Sequence, residues 1–97
     1  MYLRLVQFTV GKGKRSTAEA VADELLPAIR KQPGCERAVF FEDEAASEYG
    51  FVVLWASKPA ADASYAAVFP LLSAAVEAAG AAGTLSIRTL QVYEPKK

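Results

Sequence analysis

Between Phe51 and Ala56 two apolar sets alternate: Phe51, Val53 and Trp55 form one, and Val52, Leu54 and Ala56 form the other. An extended segment with this pattern is covered on both faces. Ser57 then offers a hydroxyl to cap a helix, and Pro59 falls in the first helical turn, where its missing N–H costs nothing. The pattern predicts a doubly buried strand, from Tyr49 to Ala56, that runs directly into a helix.

The other elements follow from the same reading. Tyr2 to Val10 is an apolar-rich strand that ends at the flexible turn Gly11-Lys12-Gly13. Ser16-Thr17-Ala18-Glu19 has capping-box spacing, which predicts a helix opened by the Ser16 hydroxyl and the Glu19 carboxylate. Ala18, Val21, Ala22, Leu25 and Ile29 share one helical face, and Pro33-Gly34 stops the helix. Pro27 should bend it around Asp23 to Leu26. Cys35 to Glu42 is a second strand, joined to the third as a hairpin by the polar stretch Glu42 to Glu48.

Pro70 is expected to break the second helical region into an alanine-rich piece and a piece carrying Leu71, Leu72, Ala75, Val76 and Ala79, with Gly80 and Gly83 at its end. In the last strand, Thr84 to Tyr93, Leu85 and Ile87 share one face while Leu90 and Val92 take the other. A bulge near Arg88 or Thr89 would produce that shift, and so would a strand end that pairs with another subunit. The first strand changes phase in the same way between Leu3, Leu5 and Val6, Phe8.

The order β-α-β-β-α-β predicts an α+β fold of ferredoxin-like type, a four-stranded antiparallel sheet with both helices on one face. Residues 1–97 are read as a single domain. Helices on one face cannot cover both apolar sets of the third strand. Hydrophobic residues make up 53% of the chain, above the usual ~45–50%. Both observations predict a homodimer whose sheets cover each other.

Eleven basic residues balance eleven acidic ones, so no net field draws the chain to nucleic acid or to an anionic membrane. Lys12, Lys14 and Arg15 read as a solvated loop. No apolar run of about 20 residues is expected to span a bilayer, and the N-terminus lacks the pattern of a secretory leader. The one cysteine, Cys35, cannot form an internal disulfide; a cytoplasmic setting is expected.

The absence of histidine excludes Ser-His-Asp and Cys-His catalysis. Asp62, Glu42, Asp43, Glu44 and Glu48 do not suggest a metal cluster, and Gly11-Lys12-Gly13-Lys14 is too short for a phosphate loop. Cys35, after the Pro-Gly turn, reads as a small buried hydrophobe.

Pro33-Gly34-Cys35 leading into strand two, the hairpin, the strand end Leu54-Trp55-Ala56-Ser57-Lys58 and the helix start Pro59-Ala60-Ala61 together resemble the antibiotic biosynthesis monooxygenase-like family of dimeric α/β barrels. The likeness runs over nearly the whole chain. It implies a dimer whose two sheets close a barrel, with a cavity between sheet and helices in each subunit. Some members oxidise aromatic polyketide phenols with O2 and without metal or flavin, and others degrade haem. The haem-degrading members carry a histidine on the second helix and an asparagine on strand one. This chain has neither residue type, and Gln7 is the nearest stand-in on strand one. No cofactor is expected.

The resemblance to the cofactor-free branch implies three catalytic residues. Trp55 matches its strand-three tryptophan, Tyr65 lies on the second helix, and Arg88 falls on the last strand, where an arginine would stabilise a phenolate. That branch's asparagine is missing. Arg88, flanked by Ile87 and Leu90 on a strand expected to be central, is the basic side chain expected to be partly buried, with Arg4 second; alternatively, Arg88 pairs with Glu94 or with a neighbouring subunit's glutamate. Trp55 and Tyr65 could equally be packing residues. The function expected is a monooxygenase acting on a small aromatic, phenolic substrate. The alternative is a non-catalytic dimeric barrel that binds a small apolar ligand or serves as a scaffold. An RNA-binding sheet is disfavoured because Phe40 and Phe41 lack basic neighbours of that family's kind.

Overall fold

The computed structural model describes residues 1–96. The element order is β1 (Tyr2–Thr9), α1 (Arg15–Arg30), β2 (Cys35–Asp43), β3 (Glu48–Trp55), α2 (Lys58–Ala78), a 3-10 turn at Ala82–Thr84, and β4 (Ser86–Gln91). The strands form one antiparallel sheet in the order β2-β3-β1-β4. This is the expected ferredoxin-like α+β arrangement, with β1 and β3 in the centre.

Register decides which side chains meet the helices. Residues directly opposite each other across an antiparallel pair share a face. Arg4 pairs with Val53 and Thr89, and Val6 pairs with Phe51 and Ile87. These side chains, with Phe8, Tyr49, Trp55, Ala38 and Phe40, lie under α1 and α2. Ala18, Val21, Ala22, Leu25 and Ile29 of α1, and Ala61, Leu72, Ala75 and Val76 of α2, complete the core. Phe40 ties the β2 side together, edge-on to Phe51 at 5.1 Å and stacked on Tyr49 at 6.3 Å.

The opposite face carries Leu3, Leu5, Val39, Phe41, Val52 and Leu54, all half-buried, and Leu90, which is exposed. Among the described residues no helix packs across this face. The phase change in β4 therefore needs no bulge: its pairing with β1 is regular from Ser86 to Gln91. Ile87 lies on the helix side and Leu90 on the open side, just as Val6 and Leu5 do in β1. The one irregularity in the sheet lies between Cys35 and Arg37, where β2 enters.

Three local expectations are corrected. The capping box does not form: α1 opens at Arg15, with no side-chain cap. Arg15 instead draws the glutamates together, meeting Glu42 at 3.1 Å, Glu19 at 3.4 Å and Glu44 at 3.6 Å. That cluster fixes the helix start to the β2 edge.

Pro70 does not divide α2, while α1 runs as one helix through Pro27, as expected. α1 carries Pro27 and α2 carries Pro70 within unbroken spans. Pro70 lies on the exposed side, and the Ala66 carbonyl that loses its donor is on an exposed residue, where water can take its place. Unbroken, α2 is long and apolar enough by length and composition to cross a membrane, contrary to the expected absence of such a run. In this fold its inner face, including Ala61, Leu72 and Val76, packs in the core. The start of α2 is as expected, with the Ser57 hydroxyl accepting from the Ala60 N–H at 3.2 Å.

Two glycines are required by close approach. Gly34 turns the chain with φ +84, and a Cβ there would lie 2.5 Å from the Ala60 Cβ at the start of α2. At Gly50 a Cβ would meet the Val6 carbonyl oxygen at 1.9 Å and the Phe41 ring at 2.7 Å. Because backbone atoms in a central strand pair cannot yield, we expect Gly50→Ala to cost about 3 kcal/mol, measured by urea unfolding. A loss below about 1 kcal/mol would contradict this close packing.

Candidate functional site

A cavity of about 40 Å³ lies between the sheet and α2. Its walls are almost entirely apolar: Val6, Phe51, Val53 and Ile87 from the sheet, Leu25 and Ile29 from α1, and Val68, Phe69 and Leu72 from α2. The polar side chains that reach it are Arg4, Trp55, Ser64 and Tyr65. The sequence brings them together by the two periods: Arg4 and Trp55 stand on the helix-facing side of adjacent strands, and Ser64 and Tyr65 lie one turn or more into α2.

Trp55 is 2% exposed, and its indole N–H is buried with no hydrogen-bond partner. Such a donor costs about 1–3 kcal/mol when left unmet.

Arg4 is 8% exposed. Its Nη1 donates to the Ala61 carbonyl at 2.6 Å, while Nε and Nη2 both donate to the Thr89 hydroxyl at 3.2 Å. The guanidinium lies 5.4 Å from the centre of the Tyr65 ring, a cation–π contact. The Asp62 carboxylate stands 3.6 Å away, but it is more than half exposed and also takes a 2.9 Å contact from Lys58. Burial lowers the Arg4 pKa, with Asp62 and then Tyr65 acting against it. Tyr65 is 42% exposed and stacks on Phe69 at 4.9 Å, so this pair forms the mouth of the cavity.

Of the three residues singled out by the sequence, Trp55 and Tyr65 line the cavity and Arg88 does not. Arg88 pairs with Leu5, one position out of phase with Arg4 and Val6, so it points to the open face of the sheet. It is exposed rather than partly buried, and β4 is an edge strand rather than a central one. The cation at the cavity is Arg4. The signal for it was the alternation Arg4, Val6, Phe8, which continues through the one polar residue on the helix side of β1. Cys35 is half-buried, and burial pushes its thiol pKa up, ahead of a smaller opposing effect of Arg30. Among the described residues no three His, Cys, Asp or Glu side chains converge as metal ligands.

The fold is of the ferredoxin-like α+β class, with an apolar, tryptophan-walled cavity between sheet and helices. The sequence profile of the antibiotic biosynthesis monooxygenase (ABM) family matches residues 1–68, and the chain belongs to that family. Solved structures share the fold. A Deinococcus radiodurans protein assigned to antibiotic biosynthesis monooxygenases is 16% identical with TM-score 0.78, over 100% of this chain and 97% of that one. SnoaB from Streptomyces nogalater, a cofactor-independent oxygenase, is 18% identical with TM-score 0.78, over 97% of this chain and 94% of its own. A Caulobacter crescentus protein with the same assignment as the first is 23% identical with TM-score 0.73, over 96% and 90%. No curated protein matches the chain.

Arg4 can be removed without orphaning its main acceptor, because the Ser64 hydroxyl also donates to the Ala61 carbonyl, at 2.7 Å. Asp62 is exposed and keeps Lys58 as its partner, so removal of Arg4 leaves no buried charge unpaired. Arg4→Met should therefore change unfolding free energy by less than about 1 kcal/mol, measured in urea. A loss of several kcal/mol would show that Arg4 is held for stability.

Proposed function

We propose that this chain is a cofactor-independent monooxygenase that takes a small aromatic, phenolic substrate into the cavity beneath α2 and works as a homodimer. The observation that carries this reading is a largely apolar cavity beneath α2 whose lining includes Arg4 and Trp55, the latter with a buried N–H that has no partner among the described residues. An apolar pocket with a few fixed polar groups suits a planar ring that bears one or two oxygens. Membership of the ABM family, and SnoaB's description as a cofactor-independent oxygenase, support the reaction class.

The chemistry needs an electron-rich anion. Once the substrate C–H or O–H has lost its proton, the carbanion or phenolate gives one electron to O2. The radical pair then joins to form a hydroperoxide at carbon, and loss of water leaves a carbonyl. In sum, a CH2 group and O2 become C=O and H2O. Donors directed at the substrate oxygen lower the barrier by stabilising the charge that the anion carries. In this reading Trp55 supplies such a donor, and Tyr65 with Phe69 closes the mouth.

The dimer is inferred from the open sheet face, on which Leu5, Val52 and Leu54 stand half-buried. A second copy of that face would cover them. Arg88, next to Leu5 and Leu90, then serves the subunit contact, where an acidic group of the partner would meet it.

Aerobic incubation with anthrone, followed by the absorbance of the quinone product, tests the activity. Wild type should turn over, Trp55→Phe should lose about 100-fold in kcat/KM, and Arg88→Ala should stay within a few-fold. Product formation no faster than in buffer, or equal rates for wild type and Trp55→Phe, would contradict the reading.

A further inference from the structure

We propose that the outward face of α2 is a second contact between copies of this chain, in which two α2 helices lie antiparallel, the start of one beside the end of the other. This surface is separate from the cavity and from the open face of the sheet.

Pro59, Ala63, Ala66, Pro70, Ala74 and Glu77 recur every three or four residues and all are exposed, so they form one stripe along the helix. No residue from Ala63 to Val76 is charged. Leu71, beside the stripe, is 45% exposed. The solvent side of a surface helix ordinarily carries charged residues. Here it is apolar between its two ends, and only 28% of the most apolar stretch of α2 is buried.

Charge selects the occupant. The ends of α2 are charged in the order opposite to the one that its dipole favours: Lys58 is the first residue and Glu77 stands in the last turn, with no acid in the first turn and no base in the last. At the first end Lys58, Arg4 and the Asp62 carboxylate that both cations share sum to one positive charge. At the other end Glu77 makes no ion pair among the described residues. An antiparallel copy meets both needs at once. With a two-fold axis crossing the helix near Ala67, Lys58 of each copy stands within a turn of the other copy's Glu77, and the opposed helix dipoles add to the attraction.

The composition of the face suits a second helix better than a bilayer. Small side chains let two helices approach closely, yet they give a membrane little to take up, and Lys58 is the only basic residue of α2 to meet anionic headgroups. The Ala66 carbonyl, left without its donor by Pro70, would be unsatisfied in hydrocarbon, whereas a contact between proteins retains a water there.

Size sets the strength. A helix of this length is about 30 Å long and presents a strip about 10 Å wide, so each copy buries roughly 300 Å², well under the ~800 Å² per partner of a stable interface. The contact is weak, with a dissociation constant on the order of 100 µM or above. It lies on the far side of α2 from the sheet, so it stays free in a sheet-to-sheet dimer and joins one dimer to the next.

Sedimentation equilibrium from about 10 µM to about 1 mM tests this on Val52→Lys, in which a charge blocks the sheet face, with circular dichroism to check that each variant is folded. Val52→Lys should pass reversibly from monomer to dimer as concentration rises. Adding Ala66→Glu should keep it monomeric, and adding Glu77→Lys should weaken association about 10-fold. Exchanging the end charges, Lys58→Glu together with Glu77→Lys, should restore it. A monomer at every concentration, association untouched by Ala66→Glu, no recovery on charge exchange, or binding to phosphatidylcholine vesicles in place of self-association would each overturn the inference. A wild type that is itself monomeric at micromolar concentration would remove the sheet-to-sheet dimer alone, and the same series in the wild-type background would then decide the α2 contact.

Discussion

The central strand pair β1 and β3 is apolar on both faces, and the rest of the molecule is arranged around that constraint. One face receives both helices and forms the core. Among the described residues no second layer covers the other. Since successive side chains alternate across a strand, a single register fixes the fate of every residue in the sheet. Arg4 and Trp55 go to the cavity by that rule, and Leu5 and Arg88 go to the open face. Gly50 holds the register, because the strands approach so closely there that only a hydrogen fits on Cα.

The cavity exists because packing beneath α2 is incomplete beside two groups that a pure core would not contain. A buried arginine needs hydrogen-bond acceptors, and it finds them in Ala61 and Thr89. A buried indole N–H needs one as well and finds none. Either group could be replaced by an apolar side chain without disturbing the fold plan. Both groups stand at the apolar cavity beneath α2.

Much of this was legible in the sequence where physics is local. Period changes placed the six main elements, Ser57 announced the start of α2, and the double apolar set in β3 announced an apolar face that the helices leave open. Trp55 and Tyr65 came from the resemblance to the cofactor-free branch, and both line the cavity. What failed depended on distant partners. The Ser16 cap lost to Arg15, whose glutamates come from β2 and its hairpin. Pro70 was tolerated because its side of α2 faces solvent, which the sequence alone does not state. Arg88 was placed inward because the final strand was taken as central. Once β4 pairs with β1 at the sheet edge, parity turns Arg88 outward and makes Arg4 the cation at the cavity.

The account stands on the open face of the sheet being sheltered by a second copy. Sedimentation velocity on the wild type and on Val52→Lys tests this most directly. Val52 points away from the helices, so a charge there leaves the protomer core untouched. The wild type should sediment as a dimer at micromolar concentration, and Val52→Lys should sediment as a folded monomer. A wild-type protein that runs as a stable, well-folded monomer under those conditions would contradict the account.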